Sequence, residues 1–129
     1  MRRAWWSMTP RSPQAYLWDA RYAAQAVLRF AAGKSFEDYR ADELLRSGIE
    51  RQMITIGEAR RAALSLDSSL AHHFPDASQI IAFRNRVVHG YFDISNVTVW
   101  DIISNDLPAV IETLDRLLPI DPANPLATP

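Results

Sequence analysis

The residues best suited to chemistry lie in one short run, Phe83-Arg84-Asn85-Arg86-Val87-Val88-His89-Gly90-Tyr91-Phe92. A histidine can take the proton from a ribose 2′-hydroxyl near neutral pH, because its unperturbed pKa is about 6.5. An arginine can hold the scissile phosphate through two parallel hydrogen bonds and stabilise the charge that builds up in the transition state. Together they suit metal-independent RNA cleavage, with a 2′,3′-cyclic phosphate and a 5′-hydroxyl as expected products. DNA, which lacks the 2′-hydroxyl, would survive.

The spacing limits how these groups can meet. On a helix Asn85 and His89 are four apart and share a face, so Asn85 can orient the imidazole. Arg84 lies about 140° around the helix from His89 and about 7.5 Å along it. One helix therefore does not easily bring the guanidinium onto the imidazole. Either the long Arg84 side chain wraps around, or two copies of the helix build the site across a dimer. The second arrangement needs less distortion. A bland reading competes with both, since a protonated histidine at a helix C-terminus is stabilised by the helix dipole. Roughly one Arg–His pair at such spacing is also expected by chance in a chain this rich in arginine. Spacing alone leaves both readings open.

The elements that must carry this segment read as helices. The chain has 129 residues, only four glycines and 48% hydrophobic residues, which suits one compact domain. The first helix is expected from about Pro13 to Ala32, with Ser12 as N-cap, Pro13 at its first position and Gly33 as its left-handed stop. Its stripe is Tyr16, Leu17, Ala20, Ala24, Val27, Leu28 and Ala31. A connector follows from Lys34 to Tyr39, anchored by Phe36 and Tyr39.

A second helix runs from about Ala41 to Leu66. Leu45, Ile49, Gln52, Met53, Ala59 and Ala63 fall within roughly 60° of Ile56 on a helical wheel. Glu43, Ser47, Glu50, Arg51, Glu58 and Arg61 fall on the opposite, wet face. Gly57 costs about 1 kcal/mol inside this helix relative to alanine, and a close helix crossing is one reason to keep it. After a polar link with His72, His73 and Pro75, a third helix is expected from about Asp76 to His89, stopped by Gly90. The fourth begins near Asn96 and carries Trp100, Ile103, Leu107, Val110, Ile111, Leu114 and Leu118. Pro108 should kink it or delete one hydrogen bond. The fold expected is an all-α, up-down four-helix bundle with a short extra helix or turn in the connectors. Residues 1–12 read as a flexible extension, 13–118 as the domain and 119–129 as a proline-rich flexible tail.

Composition narrows the chemistry further. There is no cysteine, so disulfides, thiolate nucleophiles and Cys-bound zinc are excluded. The net charge is -1, which argues against a bulk basic nucleic-acid binder; any RNA contact must be local. Of the 14 basic residues 13 are arginine, which a GC-rich genome explains as well as phosphate chemistry does. His72 and His73 lack a partner at metal-ligand spacing and read as solvated. Asp42/Arg46 and Glu58/Arg61 read as surface pairs worth tenths of a kcal/mol. No apolar run approaches the ~20 residues that span a bilayer, and none follows Arg2-Arg3 as a secretory leader requires. A cytoplasmic protein is expected.

Arg84-Asn85-x-x-x-His89-x-Tyr91 resembles the signature of the HepT-like ribonuclease toxins, a branch of the HEPN superfamily. Ser35-Phe36-Glu37-Asp38-Tyr39, Arg51-Gln52, Ile56-Gly57-Glu58-Ala59, Val99-Trp100-Asp101-Ile102 and Asp106-Leu107-Pro108 are similar to the family's other recurring segments, in the same order. The similarity spans about Leu17 to Leu118. It implies a homodimer of helical bundles with two Arg-x4-His motifs facing each other and no metal or cofactor. Arg84 and His89 become the catalytic pair, Asn85 a supporting residue and Arg86 an additional RNA contact or an exposed side chain. Tyr91 matches the tyrosine that a partner nucleotidyltransferase antitoxin modifies with AMP, adding bulk and negative charge beside the phosphate site. The implied activity is that of an endoribonuclease toxin. A non-catalytic HEPN module that binds RNA or its nucleotidyltransferase partner is the alternative.

Overall fold

The computed structural model describes residues 11–74 and 95–119. The described part is all-α, as the periodicities require, with helices α1 (Pro13–Ala31), α2 (Phe36–Ala41), α3 (Glu43–Leu66), α4 (Asn96–Asp101) and α5 (Leu107–Leu117). A 3-10 turn, Ser68–His73, follows α3, and a π-helical turn, Ile102–Asp106, joins α4 to α5. The expected third helix, from about Asp76 to His89, lies outside the described residues.

Helix α1 begins and ends where its punctuation says. The Ser12 side chain accepts a hydrogen bond from the Ala15 N–H at 3.1 Å, and Pro13 fills a first-turn position where no N–H is needed. At the other end Gly33 has φ 72°, a left-handed conformation in which a side chain is strained, and the Lys34 N–H returns to the Ala31 carbonyl at 2.9 Å. The buried face is narrow in side-chain volume: Leu17, Ala20, Ala23, Ala24, Ala26 and Val27. Small residues let α1 lie closely along α3, its principal neighbour. Phe30, near the end of α1, covers Gly48, near the start of α3, where an added Cβ would sit 3.6 Å from the ring. The two helices therefore run antiparallel.

The connector between them is itself a helix. Ser35 and Asp38 form a reciprocal capping box, with the Asp38 N–H donating to Ser35 Oγ at 3.1 Å and the Ser35 N–H to Asp38 Oδ2 at 2.9 Å. The expected anchors hold: Tyr39 is fully buried and Phe36 half-buried. Both rings meet Trp100 of α4, with centroids 5.3 Å away for Tyr39 and 6.5 Å for Phe36. Asp42 then ends α2 and starts α3, its carboxylate accepting from the Leu45 N–H at 3.0 Å. That role replaces the expected Asp42/Arg46 surface pair, because Arg46 donates to the Arg40 carbonyl instead.

Helix α3 buries Ile49, Met53, Ile56, Gly57, Ala59 and Ala63, as the wheel predicts, and exposes Glu43, Ser47, Arg51, Glu58 and Arg61. Leu45 and Gln52 sit at its margin, and Glu50, expected on the wet face, is half-buried there as well. The expected fourth helix is continuous in path but changes register at the proline. Pro108 offers no N–H and its ring crowds the carbonyl four residues back, so an ideal α-turn cannot pass through it. The chain resolves this in the π turn, where the Leu107 N–H bonds to the carbonyl of Ile102, five residues earlier. Val99, Ile102, Ile103, Leu107, Val110, Leu114 and Leu118 stay buried across the change.

Candidate functional site

Arg84, Asn85, Arg86, His89 and Tyr91 lie outside the described residues, and the described scaffold flanks residues 75–94 on either side. On the near side the chain leaves α3 through Asp67, whose carboxylate accepts from the Ser69 N–H at 3.1 Å and the Ser69 hydroxyl at 2.6 Å. The 3-10 turn then delivers Phe74 into the core, 4% exposed, with its N–H donated to the Ala71 carbonyl at 3.2 Å. On the far side the Ser95 hydroxyl caps α4, accepting from the Thr98 N–H at 3.1 Å. Both flanks of the segment are thus tied to the bundle by specific contacts.

Two buried arginines escaped the reading of the sequence. Arg21 is 1% exposed, and its Nε donates to Asp115 Oδ1 at 2.7 Å, joining α1 to α5. Arg60 is also 1% exposed, and its guanidinium carbon lies 4.5 Å from the centre of the Phe74 ring. The signal was present in both helices. Arg21 follows Leu17 by four positions and Arg60 follows Ile56 by four, so each lies on its helix's apolar stripe. A charged side chain on such a stripe is either lifted out by its long stem or buried with compensation. Burial is the outcome here.

A third group sits where α2 meets α3. The Tyr39 hydroxyl is buried and makes no hydrogen bond among the described residues. Burial pushes its phenol well above the ordinary tyrosine range, the charge of Glu50 pushes the same way, and Arg46 opposes both. The Glu50 carboxyl is itself raised by burial, again with Arg46 opposing. This arrangement favours a neutral tyrosine and suits packing better than proton transfer.

No group of three or more His, Asp or Glu among the described residues is placed to hold a metal ion. His72 and His73 are exposed in the 3-10 turn, as expected of a solvated link. Glu58 is exposed on α3, in keeping with its place on the wet face. No helix among the described residues is long and apolar enough to cross a membrane.

The helical hairpin of α1 and α3 and the α4–α5 arm make the described part an all-α, HEPN-like bundle. A family model described as Ribonuclease HepT-like matches residues 21–117, and the chain belongs to the HepT-like ribonuclease family. A candidate RNase of Methanocaldococcus jannaschii, MJ1380, is 26% identical over 105 residues, 80% of this chain and 94% of that one. A candidate RNase of Caldanaerobacter subterraneus is 24% identical over 108 residues, 84% of this chain and 96% of its own length. A probable ribonuclease HepT of Thermococcus cleftensis is 24% identical over 107 residues, with 83% and 96% covered. No solved structure matches the chain.

Proposed function

We propose that this protein is a metal-independent endoribonuclease, the toxin of a toxin–antitoxin pair, acting as a homodimer in the cytoplasm. The observation that carries the reading is the family match across residues 21–117, a span that includes Arg84, Asn85, His89 and Tyr91. In this reading His89 removes the 2′-hydroxyl proton and Arg84 binds the phosphate and the charge that accumulates on it. Asn85 orients the imidazole, and Arg86 adds an RNA contact. The attacking 2′-oxygen displaces the 5′-oxygen of the next nucleotide, leaving a 2′,3′-cyclic phosphate and a 5′-hydroxyl.

A dimer suits the helical spacing expected of the motif. Two copies of a helix related by a two-fold axis place one copy's Arg84 near the other's His89, which one helix does poorly. The pairing also makes a local basic cleft on a chain whose net charge is -1. A nucleotidyltransferase antitoxin would transfer AMP to Tyr91, and the added bulk and charge would repel RNA from that cleft.

The test is expression of wild type and His89→Ala in a host without the antitoxin, scoring growth and RNA integrity together. Arrested growth and degraded RNA in the wild type alone are expected. Equal growth with intact RNA in both would overturn the toxin reading. RNA retained but uncut by purified wild type would support a non-catalytic binding module instead.

A further inference from the structure

The outer face of α3 carries a stripe that the proposed chemistry does not use. Leu44, Gly48, Thr55, Ala62 and Leu66, with Arg51 and Glu58 between them, fall within about 40° of one line along the helix. Leu44 is 83% exposed and Leu66 55%, among the most exposed large apolar side chains described. Arg51 and Glu58 are exposed, and Gly48, Thr55 and Ala62 are half-buried.

The stripe is symmetric about Thr55. Gly48 and Ala62 stand seven positions to either side of it, and Leu44 and Leu66 eleven. Seven and eleven positions are close to two and three turns, so each pair keeps to the same line. Arg51 precedes Thr55 by four positions and Glu58 follows it by three. A two-fold axis through Thr55 therefore lays the stripe antiparallel on a copy of itself. Leu44 of each copy then meets Leu66 of the other, Gly48 meets Ala62, and Arg51 lies beside Glu58. A parallel pairing would set Arg51 against Arg51 and Glu58 against Glu58, so the charges select the antiparallel one. Glu58 already takes part in an interaction of its own chain, and a carboxylate has several acceptor sites, so the incoming arginine adds to that contact.

The two ends of the stripe supply the apolar contact. Phe30 of α1 is 37% exposed and lies over Gly48, 3.6 Å from where a Cβ would stand. Leu44 is one turn before Gly48 on the same line, so ring and leucine border one patch where Leu66 of a second copy would land. Gly48 and Ala62 carry too little side chain to hold two helices apart. The same contact recurs at the other end, about 33 Å along the helix.

We propose that the outer stripe of α3 is a self-association face, on which a second copy of this chain seats its own α3 antiparallel about an axis at Thr55. The face rests on the homodimer reading above and on no other part of it; neither RNA cleavage nor any residue of 75–94 enters.

The chain has no cysteine, so a single introduced thiol reports only its own neighbours. Purified Thr55→Cys, gently oxidised, should be trapped as a disulfide-linked dimer that a reductant releases, because the axis brings its two Cβ atoms together. Ser47→Cys is exposed on the same helix but eight positions from the axis, and should stay unlinked on the same non-reducing gel. Equal linking of T55C and S47C, or none in either, would overturn the proposal. Light scattering gives a second reading. Leu44→Glu sets a carboxylate against the apolar patch and should weaken the dimer about 100-fold, with helical circular dichroism unchanged. A wild-type dimer that keeps its mass in L44E and leaves T55C unlinked would overturn the α3 face while the homodimer reading stands. A monomeric wild type would overturn both.

Discussion

Arg21 Nε and Asp115 Oδ1 lie 2.7 Å apart, tying the first described helix to the last across 94 positions of sequence. The arginine is buried and the aspartate partly so, and Trp18 flanks the guanidinium at 5.4 Å. Removing the carboxylate leaves a buried cation short of its nearest counter-charge, which is costlier than removing the cation itself. Asp115→Ala should therefore destabilise the fold by about 2 kcal/mol, and Arg21→Met by less than half of that. Urea unfolding of the two variants checks the order, and a larger loss for Arg21→Met would refute it.

Gly33 stops α1 at φ 72°, where nothing crowds an added Cβ but the backbone itself resists one. Gly33→Ala should cost about 1–2 kcal/mol through conformation alone. The urea midpoint should drop with the slope unchanged; a changed slope would mean that compactness, not a single dihedral, had been altered.

Two carboxylates give opposite pH dependences. The Asp38 carboxyl is held below its ordinary range by the hydrogen bonds from the Ser35 backbone and side chain. Its contribution is present above the unfolded aspartate value, about 4, and is lost as pH falls through the lowered folded value. Ser35→Ala should move the Asp38 titration back towards the ordinary range in an NMR experiment. Glu50 is raised by burial, so the fold prefers its neutral form. That contribution is present below the unfolded glutamate value and is lost as pH rises through the raised folded value. Glu50→Gln should consequently stabilise the protein at neutral pH and lose that advantage in acid. Stability measured from about pH 3 to 7 would show the crossover.

Tyr91 is the proposed acceptor of AMP. Incubation with ATP and the partner nucleotidyltransferase should add the mass of AMP to the wild type and abolish its activity on RNA, while Tyr91→Phe stays unmodified and active. Modification of the Tyr91→Phe protein would place the acceptor elsewhere.

Much of the scaffold was legible because its signals are local. Ser12, Pro13 and Gly33 bound α1 by capping and by φ preference, and the wheel around Ile56 sorted α3 into wet and dry faces. The Ser35/Asp38 capping box was equally local, yet a six-residue helix has too little periodicity to announce itself beside a connector. Pro108 was legible as a disturbance but not as a π turn, since the choice among kink, lost bond and register change depends on which neighbours must stay buried. Arg21 and Arg60 were illegible for a different reason. A long cationic side chain on an apolar stripe normally snorkels, and the buried contacts that Arg21 makes with Asp115 and Arg60 with Phe74 lie 94 and 14 positions away in sequence. The motif from Arg84 to Tyr91 was the plainest chemical signal in the chain, and its geometry lies outside the described residues.

The central claim is a ribonuclease that works through His89 and Arg84 without metal. Its most direct test is incubation of purified wild type, His89→Ala and Arg84→Ala with a labelled RNA in excess chelator. A matched substrate should carry a single 2′-deoxy substitution at the cut site. Cleavage by the wild type alone is expected, with products ending in 2′,3′-cyclic phosphate and 5′-hydroxyl and no cut at the 2′-deoxy position. Cleavage that persists in His89→Ala, or that proceeds through the 2′-deoxy position, would contradict it.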